Sequence, residues 1–173
     1  MPAPPVELFR RLTTGVYVVT ASLEGTQGGF TAAWVMQVSF APLLLAVSVN
    51  PHNATWPLIE AGRRFAVNVL DSSQLEVARH FGLTSGRELD KFSGVRTNTG
   101  PEGFVVLPDA VSWLGCHVDR HLPAGDHIIV VAHVVAGDLL KPDGTPLRYS
   151  ETGNMDGSAH LFPASFLAGG DDA

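Results

Sequence analysis

The stretch GGFTAAWVMQVSFAPLLLAVSVNP, residues 28–51, decides the fold. In its second half Leu43, Leu45, Val47 and Val49 fall on one face, with Ala46, Ser48 and Asn50 on the other. That period of two predicts a half-buried β-strand. The first half, FTAAWVMQVSF, lacks a clean alternation and reads as a neighbouring strand with both faces covered. Its small residues Thr31, Ala32 and Ala33 would let a flat aromatic ring lie close to the backbone. They would equally suit a tightly packed central strand facing a large neighbour.

Working outward, Val6, Phe9 and Leu12 are spaced for a helix that ends at Gly15, and VYVVTAS (16–22) predicts a strand. EGTQGG reads as a turn between that strand and the next. Asn53 or Thr55 can cap a short helix through WPLIEA, and RFAVNVL alternates with Phe65, Val67 and Val69 inward and Asn68 opposite. Ser73 and Glu76 form a capping box for LEVARHF, closed by Gly82. Residues 83–108 read as a long loop, a length that usually marks function. Strands resume at VSWLGCHVD (111–119), at HIIVVAHVV (127–135), apolar on both faces, and briefly at PLRY. Mostly antiparallel strands with two or three short helices imply a β-barrel with helical additions. All 173 residues read as one domain, with 150–173 as a tail packing on the barrel or on a partner subunit.

Hydrophobic residues make up 45% of the chain and charged ones only 16%, which leaves apolar surface for a subunit interface. A net charge of −6 speaks against nucleic acid and anionic membranes as partners. The lone cysteine, Cys116, and the lack of a leader-like or bilayer-length apolar run fit a cytoplasmic protein. His117 and His121 have no HExxH, cysteine pair or carboxylate cluster beside them, so no metal site is expected. Neither a GxSxG elbow nor a dinucleotide GxGxxG is present.

Four places could carry chemistry. Gln37 and Ser39 could supply side-chain partners to a ring lying on the Thr31–Ala33 backbone. His52, Asn53 and Thr55 sit at a predicted helix start, where free N–H groups attract anions, though the same residues serve as ordinary caps. Lys91, in DKF, could pair with a phosphate or simply decorate the loop. His127, in GDH (125–127), heads a strand after a glycine turn; it could hydrogen-bond a carboxamide near a hydride-transfer centre or be an ordinary strand-entrance histidine.

The ordered landmarks TGVYVVTA, GFTAAWVMQVSFAP, FAVNVL, DKF, GDH and PLRY resemble those of the flavin reductase family, and the second also resembles the reductase module of diflavin proteins. The resemblance implies an FMN-binding split β-barrel that forms homodimers, with FMN or FAD near the interface. Carried over by motif, Thr31, Ala32, Ala33, Trp34, Gln37, Val38 and Ser39 would line the isoalloxazine, and His52, Asn53 and Thr55 the phosphate. Lys91 and Phe92 would close over the cofactor, and His127 would meet the nicotinamide of NAD(P)H. Two departures stand out: Pro42 is followed by Leu43 where a second proline is common, and Ala33 stands where a hydroxyl is common. The implied activity is NAD(P)H-dependent flavin reduction, serving a partner such as a flavin-dependent monooxygenase. The alternative is an electron-transfer flavoprotein that keeps its FMN and reacts little with NAD(P)H.

Overall fold

A computed structural model of the chain describes residues 3–164 and 166. Helix α1 is Pro5–Phe9, and strands β1, Tyr17–Leu23, and β2, Thr26–Ala32, form a hairpin. Strand β3, Val35–Ser39, pairs with β4, Leu44–Val49, and helix α2, Trp56–Gly62, leads to β5, Arg64–Val69. After helix α3, Leu75–Leu83, come the short pair β6, Asn98–Thr99, and β7, Val105–Val106. The long hairpin of β8, Ser112–Ala124, and β9, His127–Leu139, completes the sheet.

The seven large strands run in the order β2-β1-β5-β8-β9-β4-β3, every neighbouring pair antiparallel. The two end strands are consecutive in sequence. Only Ala33 and Trp34 separate Ala32, the end of β2, from Val35, the start of β3. Three extended residue steps reach about 11 Å at most. The two sheet edges must therefore meet at that point, which rolls the sheet into a barrel that is not closed by hydrogen bonds between β2 and β3. This is a mainly β fold, a split barrel.

The interior is filled by alternate residues of the strands, among them Val19, Phe30, Val47, Phe65, Val67 and Val130, and is plugged by Trp56 and Ile59 of α2. A second apolar cluster lies outside the sheet, where Ala78 and Phe81 of α3 pack on Val16, Val18 and Leu70. Gly29 makes that approach possible, and Gly28 gives room in the same way to α2. A Cβ at Gly29 would lie 2.9 Å from the Phe81 ring, and one at Gly28 2.9 Å from Leu58.

Several local expectations change. Thr26–Gly29 belong to β2, leaving Glu24 and Gly25 as the whole turn, each with positive φ. FTAAWVMQVSF is two strands, and β3 is open: Met36 and Val38 are exposed, as is Phe40 just past its end. The cap of α3 is Gln74, because Ser73 spends its hydroxyl on Asp71 and Gly82 lies inside the helix. The 83–108 segment is only partly a loop, since Phe104–Leu107 are buried. They cover Asn68, which donates to Val18 O (3.1 Å) and accepts from Leu107 N (2.8 Å). Asn68 thus faces away from the barrel interior yet is fully buried, and its hydrogen bonds make that tolerable. PLRY forms isolated bridges to Gly15 and Asp71 in place of a strand.

The tail is described through Ala164 and at Phe166. Arg10 donates to Asn154 Oδ1 at 3.0 Å, Phe9 meets Phe162 at 5.6 Å, and the Tyr149 hydroxyl donates to Asp156. These ties bind it to α1; Ser165 and residues 167–173 lie outside the described residues. No described helix is long and apolar enough to cross a membrane.

Candidate functional site

The turn after β4 is built by two asparagines. Asn50 Oδ1 accepts His52 N–H and Asn53 Oδ1 accepts Thr55 N–H, each at 2.9 Å. Asn53 thus holds the turn before α2 through its carbonyl, while the N-cap of the helix is Thr55, which makes no side-chain cap bond. Across a cleft, the loop after α3 folds on Ser85, whose carbonyl accepts from Glu88 and Leu89 N–H and whose hydroxyl accepts from Arg87 N–H. Arg87 Nη2 reaches back to His52 O at 3.1 Å and ties loop to turn.

The cleft between them has a volume of about 180 Å³ and is floored by Phe30 and Thr31 of β2. Ala54, Thr84, Ser85 and Gly86 line it, and among the described residues none of their backbone N–H groups has a hydrogen-bond partner. Four uncommitted donors beside one guanidinium suit an anion with several oxygens, as a phosphate has. A divalent cation finds no match there. Among the described residues no three His, Cys, Asp or Glu side chains gather in a way that could hold a metal ion.

Lys91 underlies this cleft. Its ammonium is buried and donates to Gly29 O at 2.9 Å and Phe81 O at 2.8 Å, so it fastens the loop to β2 and α3. Burial without a carboxylate lowers its pKa from the ordinary lysine value. Phe92 follows it into the second core, edge-on to Phe81 at 5.3 Å. Thr31 donates its hydroxyl to Ala78 O at 2.7 Å, which docks α3 on β2.

At the β2–β3 junction Ala32 is buried while Trp34 is 56% exposed, so one large aromatic face stands open where the barrel splits. His127, at the head of β9, meets the Trp34 ring at 5.0 Å, edge to face. Its Nδ1 lies 2.8 Å from Asp126 Oδ1, and this bond is the main reason the Asp126 pKa falls below the usual carboxylate value. A carboxylate can only accept, so Nδ1 carries the proton in this bond and Nε2 is the ring nitrogen that Asp126 leaves uncommitted. Gln37, Val38 and Ser39 follow on the open strand, with Gln37 Nε2 donating to Ser39 O at 3.4 Å.

The sequence-derived set therefore falls into groups. Thr31, His52, Asn53 and Lys91 share the 180 Å³ cleft. Trp34 and His127 meet at the split, and Ala33 lies in the crossover between β2 and β3. Thr55 is 2% exposed and borders a neighbouring hollow instead of the cleft, because α2 packs over it. Ser85, Gly86, Arg87 and Asp126 escaped the sequence reading. The SGR run after a helix and the acid beside the GDH histidine were the available signals.

The fold and this cleft define a class, and comparison with known proteins supplies the family. The flavin reductase like domain model matches residues 9–158, so the chain belongs to that family of flavoprotein oxidoreductases. A diflavin flavoprotein A 1 of Synechocystis sp. is 33% identical over 146 residues, 83% of this chain and 26% of its own length. The chain thus spans about a quarter of the curated relatives it matches. Among solved structures, the Streptomyces globisporus NADH:FAD oxidoreductase SgcE6 superposes with a TM-score of 0.77 at 30% identity, over 84% of this chain and 86% of that one. Nitrilotriacetate monooxygenase component B of Mycobacterium thermoresistibile superposes with a TM-score of 0.72 at 30% identity, over 82% and 79% of the two chains.

Proposed function

We propose that this protein is an NAD(P)H-dependent flavin reductase. The observation that carries the reading is the cleft of uncommitted amides at Ala54 and Thr84–Gly86 beside Arg87, whose floor residue Thr31 lies three residues before the open Trp34. The cleft chemistry fits the phosphate of a flavin nucleotide, and Thr31–Trp34 with Gln37–Ser39 would carry its ring system. When bound, the flavin supplies a hydride acceptor, and the protein needs no side chain acting as a base. Asn53 and Arg87 would fix the phosphate end, while Lys91 would keep the loop in place beneath it. His127 would present Nε2 to the amide N–H₂ of a nicotinamide, with Asp126 holding the tautomer and Trp34 the tilt. Removing water from the Trp34 face on binding would strengthen each of these contacts.

SgcE6, whose name specifies NADH and FAD, has also been solved in complex with NAD and FAD fragments; that supports a nicotinamide donor for this chain. A monooxygenase component among the neighbours supports an oxygenase as the consumer of reduced flavin. The bare β3 strand supports a homodimer, which would place a second subunit beside the flavin ring.

The test is an anaerobic absorbance titration of the flavin-loaded protein with NADH and then NADPH. Rapid bleaching by one donor is expected. A flavin that binds but stays oxidised with both donors, and is reduced only by dithionite, would favour an electron-carrying flavoprotein. A protein that binds neither FMN nor FAD would sink the reading altogether.

A further inference from the structure

The turn and the loop that face each other across the cleft also touch. Arg87 Nη2 donates to His52 O at 3.1 Å, and among the described residues this is the one hydrogen bond between residues 84–90 and 50–55. Beside it the two backbones close in. A Cβ on Gly86 would lie 3.5 Å from the Ala54 Cβ and 3.7 Å from the Lys91 Cε. Ala54, Gly86, Arg87 and Lys91 are also the residues that border both the cleft of about 180 Å³ and a neighbouring hollow of about 480 Å³. The Arg87 crossing is thus the partition between two adjoining hollows. We propose that this crossing is a latch: by bonding His52 and a phosphate oxygen at once, Arg87 sets how long a flavin nucleotide stays bound. The proposal rests on reading the smaller cleft as the flavin phosphate site.

Three features support it. The first is that only the tip of the loop is free to lift. At its far end His80 Nε2 donates to Lys91 O at 2.6 Å, and Lys91 itself is bonded to Gly29 O and Phe81 O. At its near end Thr31 holds α3 through Ala78 O. Between these anchors residues 85–90 are exposed and bond mainly to one another, with Ser85 O accepting from Glu88 and Leu89 N–H. Such a preformed turn between fixed ends can swing as a unit.

The second feature is charge. Among the described residues no carboxylate pairs with Arg87, and the amides of Ala54, Ser85 and Gly86 add only positive partial charge beside it. A phosphate supplies the counter-charge that this group lacks. Before it enters, the latch is one exposed bond to a neutral carbonyl and opens readily. Afterwards the same guanidinium is held by a carbonyl and an anion together. The third feature is the shape of the side chain. A guanidinium presents several N–H donors in a rigid planar fork, so it can serve two acceptors at once, whereas a lysine ammonium acts as a point charge. A phosphate bonded to both walls and bridged by Arg87 has to break with one wall before it leaves. Entry is therefore little hindered, and exit is slowed.

The test measures the two rates separately. Stopped-flow binding of FMN to the apoprotein gives association, and chase of bound radiolabelled FMN by excess unlabelled FMN gives dissociation. Riboflavin, with the same ring system and no phosphate, is titrated alongside by fluorescence. Arg87→Lys keeps the charge and loses the fork; it should leave FMN association within about twofold and speed dissociation about tenfold. Arg87→Ala should speed dissociation about a hundredfold and slow association by roughly threefold, since the attraction goes as well. Riboflavin affinity should stay within about twofold in both variants, because the latch acts only through the phosphate. Leu89→Ala alters an exposed side chain of the same loop tip and should leave both FMN rates unchanged. An Arg87→Lys protein that matches the wild type in both rates would overturn the latch, as would one that slows association as much as it speeds dissociation. Loss of riboflavin affinity in step with FMN would also overturn it, by giving Arg87 a merely structural role in the loop. A wild type that binds FMN no more tightly than riboflavin would overturn the phosphate reading itself, which keeps the two failures apart.

Discussion

The two edges of the sheet are treated in opposite ways. The β2 edge is clothed by its own chain: α3 lies over it, the 84–91 loop wraps it, and a buried lysine is bonded to its carbonyl. The β3 edge is bare, and Met36 at 63% and Phe40 at 87% exposure face away from any covering element. An open strand with apolar side chains invites pairing, and proteins that stay monomeric normally blunt such an edge with charge, proline or cover. The only proline near β3 is Pro42, beyond its end. The difference fits the proposed division of labour, in which the clothed edge would serve a ligand and the bare one a second subunit, with the split between them.

The largest break in this comparison should come from putting charge on β3. Met36→Glu with Phe40→Asp removes exposed apolar surface without touching either core, so the fold should persist. Wild-type protein is expected to sediment at twice the 18.4 kDa chain mass and the double variant at the chain mass. A hundredfold or greater loss of self-association corresponds to about 3 kcal/mol. A monomeric wild type would remove the contrast between the edges.

At the other edge, Lys91→Met takes away both bonds that fasten the loop. A cost of about 2 kcal/mol in urea unfolding is expected, offset in part by relief of a desolvated charge. Flavin affinity should fall about tenfold as the 84–90 loop loosens. An unchanged affinity would mean that the loop holds its shape without the lysine.

Between the edges, Cys116 lies on β8 inside the barrel, where burial pushes its thiol up to about 12 from an ordinary 9.0. The unfolded chain therefore loses this proton first as pH rises. Stability should drop by about 1.4 kcal/mol per pH unit between those two values, and none of that loss should occur below 9. Cys116→Ala should flatten the alkaline fall by that slope, measured by urea midpoints at pH 8, 9 and 10.

The smallest effect should come from the split itself. Asp126→Ala frees the His127 ring to change tautomer without removing it. The KM for the nicotinamide nucleotide should rise about threefold with kcat changed less than twofold. Equal changes in both constants would assign Asp126 a merely structural role.

Much of this was legible in the chain. Alternation in LLLAVSVN and RFAVNVL revealed real strands because one face of each meets a continuous apolar core, and that face has to repeat every second residue. TAAW and the histidine of GDH, each of which the sequence left open between a site and an ordinary strand residue, come together at the split, where Trp34 and His127 meet. EGTQGG misled because glycines usually mark turns, whereas here they thin a strand so that Phe81 and Leu58 can approach.

The amino-acid sequence by itself determined the antiparallel strands, the barrel class and the family, since these follow from local periodicity and the order of landmarks. Only the tertiary structure decided that Lys91 works beneath the cleft, that Arg87 joins loop to turn, and that β3 is open while β2 is clothed. Those properties depend on which backbone groups are left without partners after the sheet curls, and no local pattern records that.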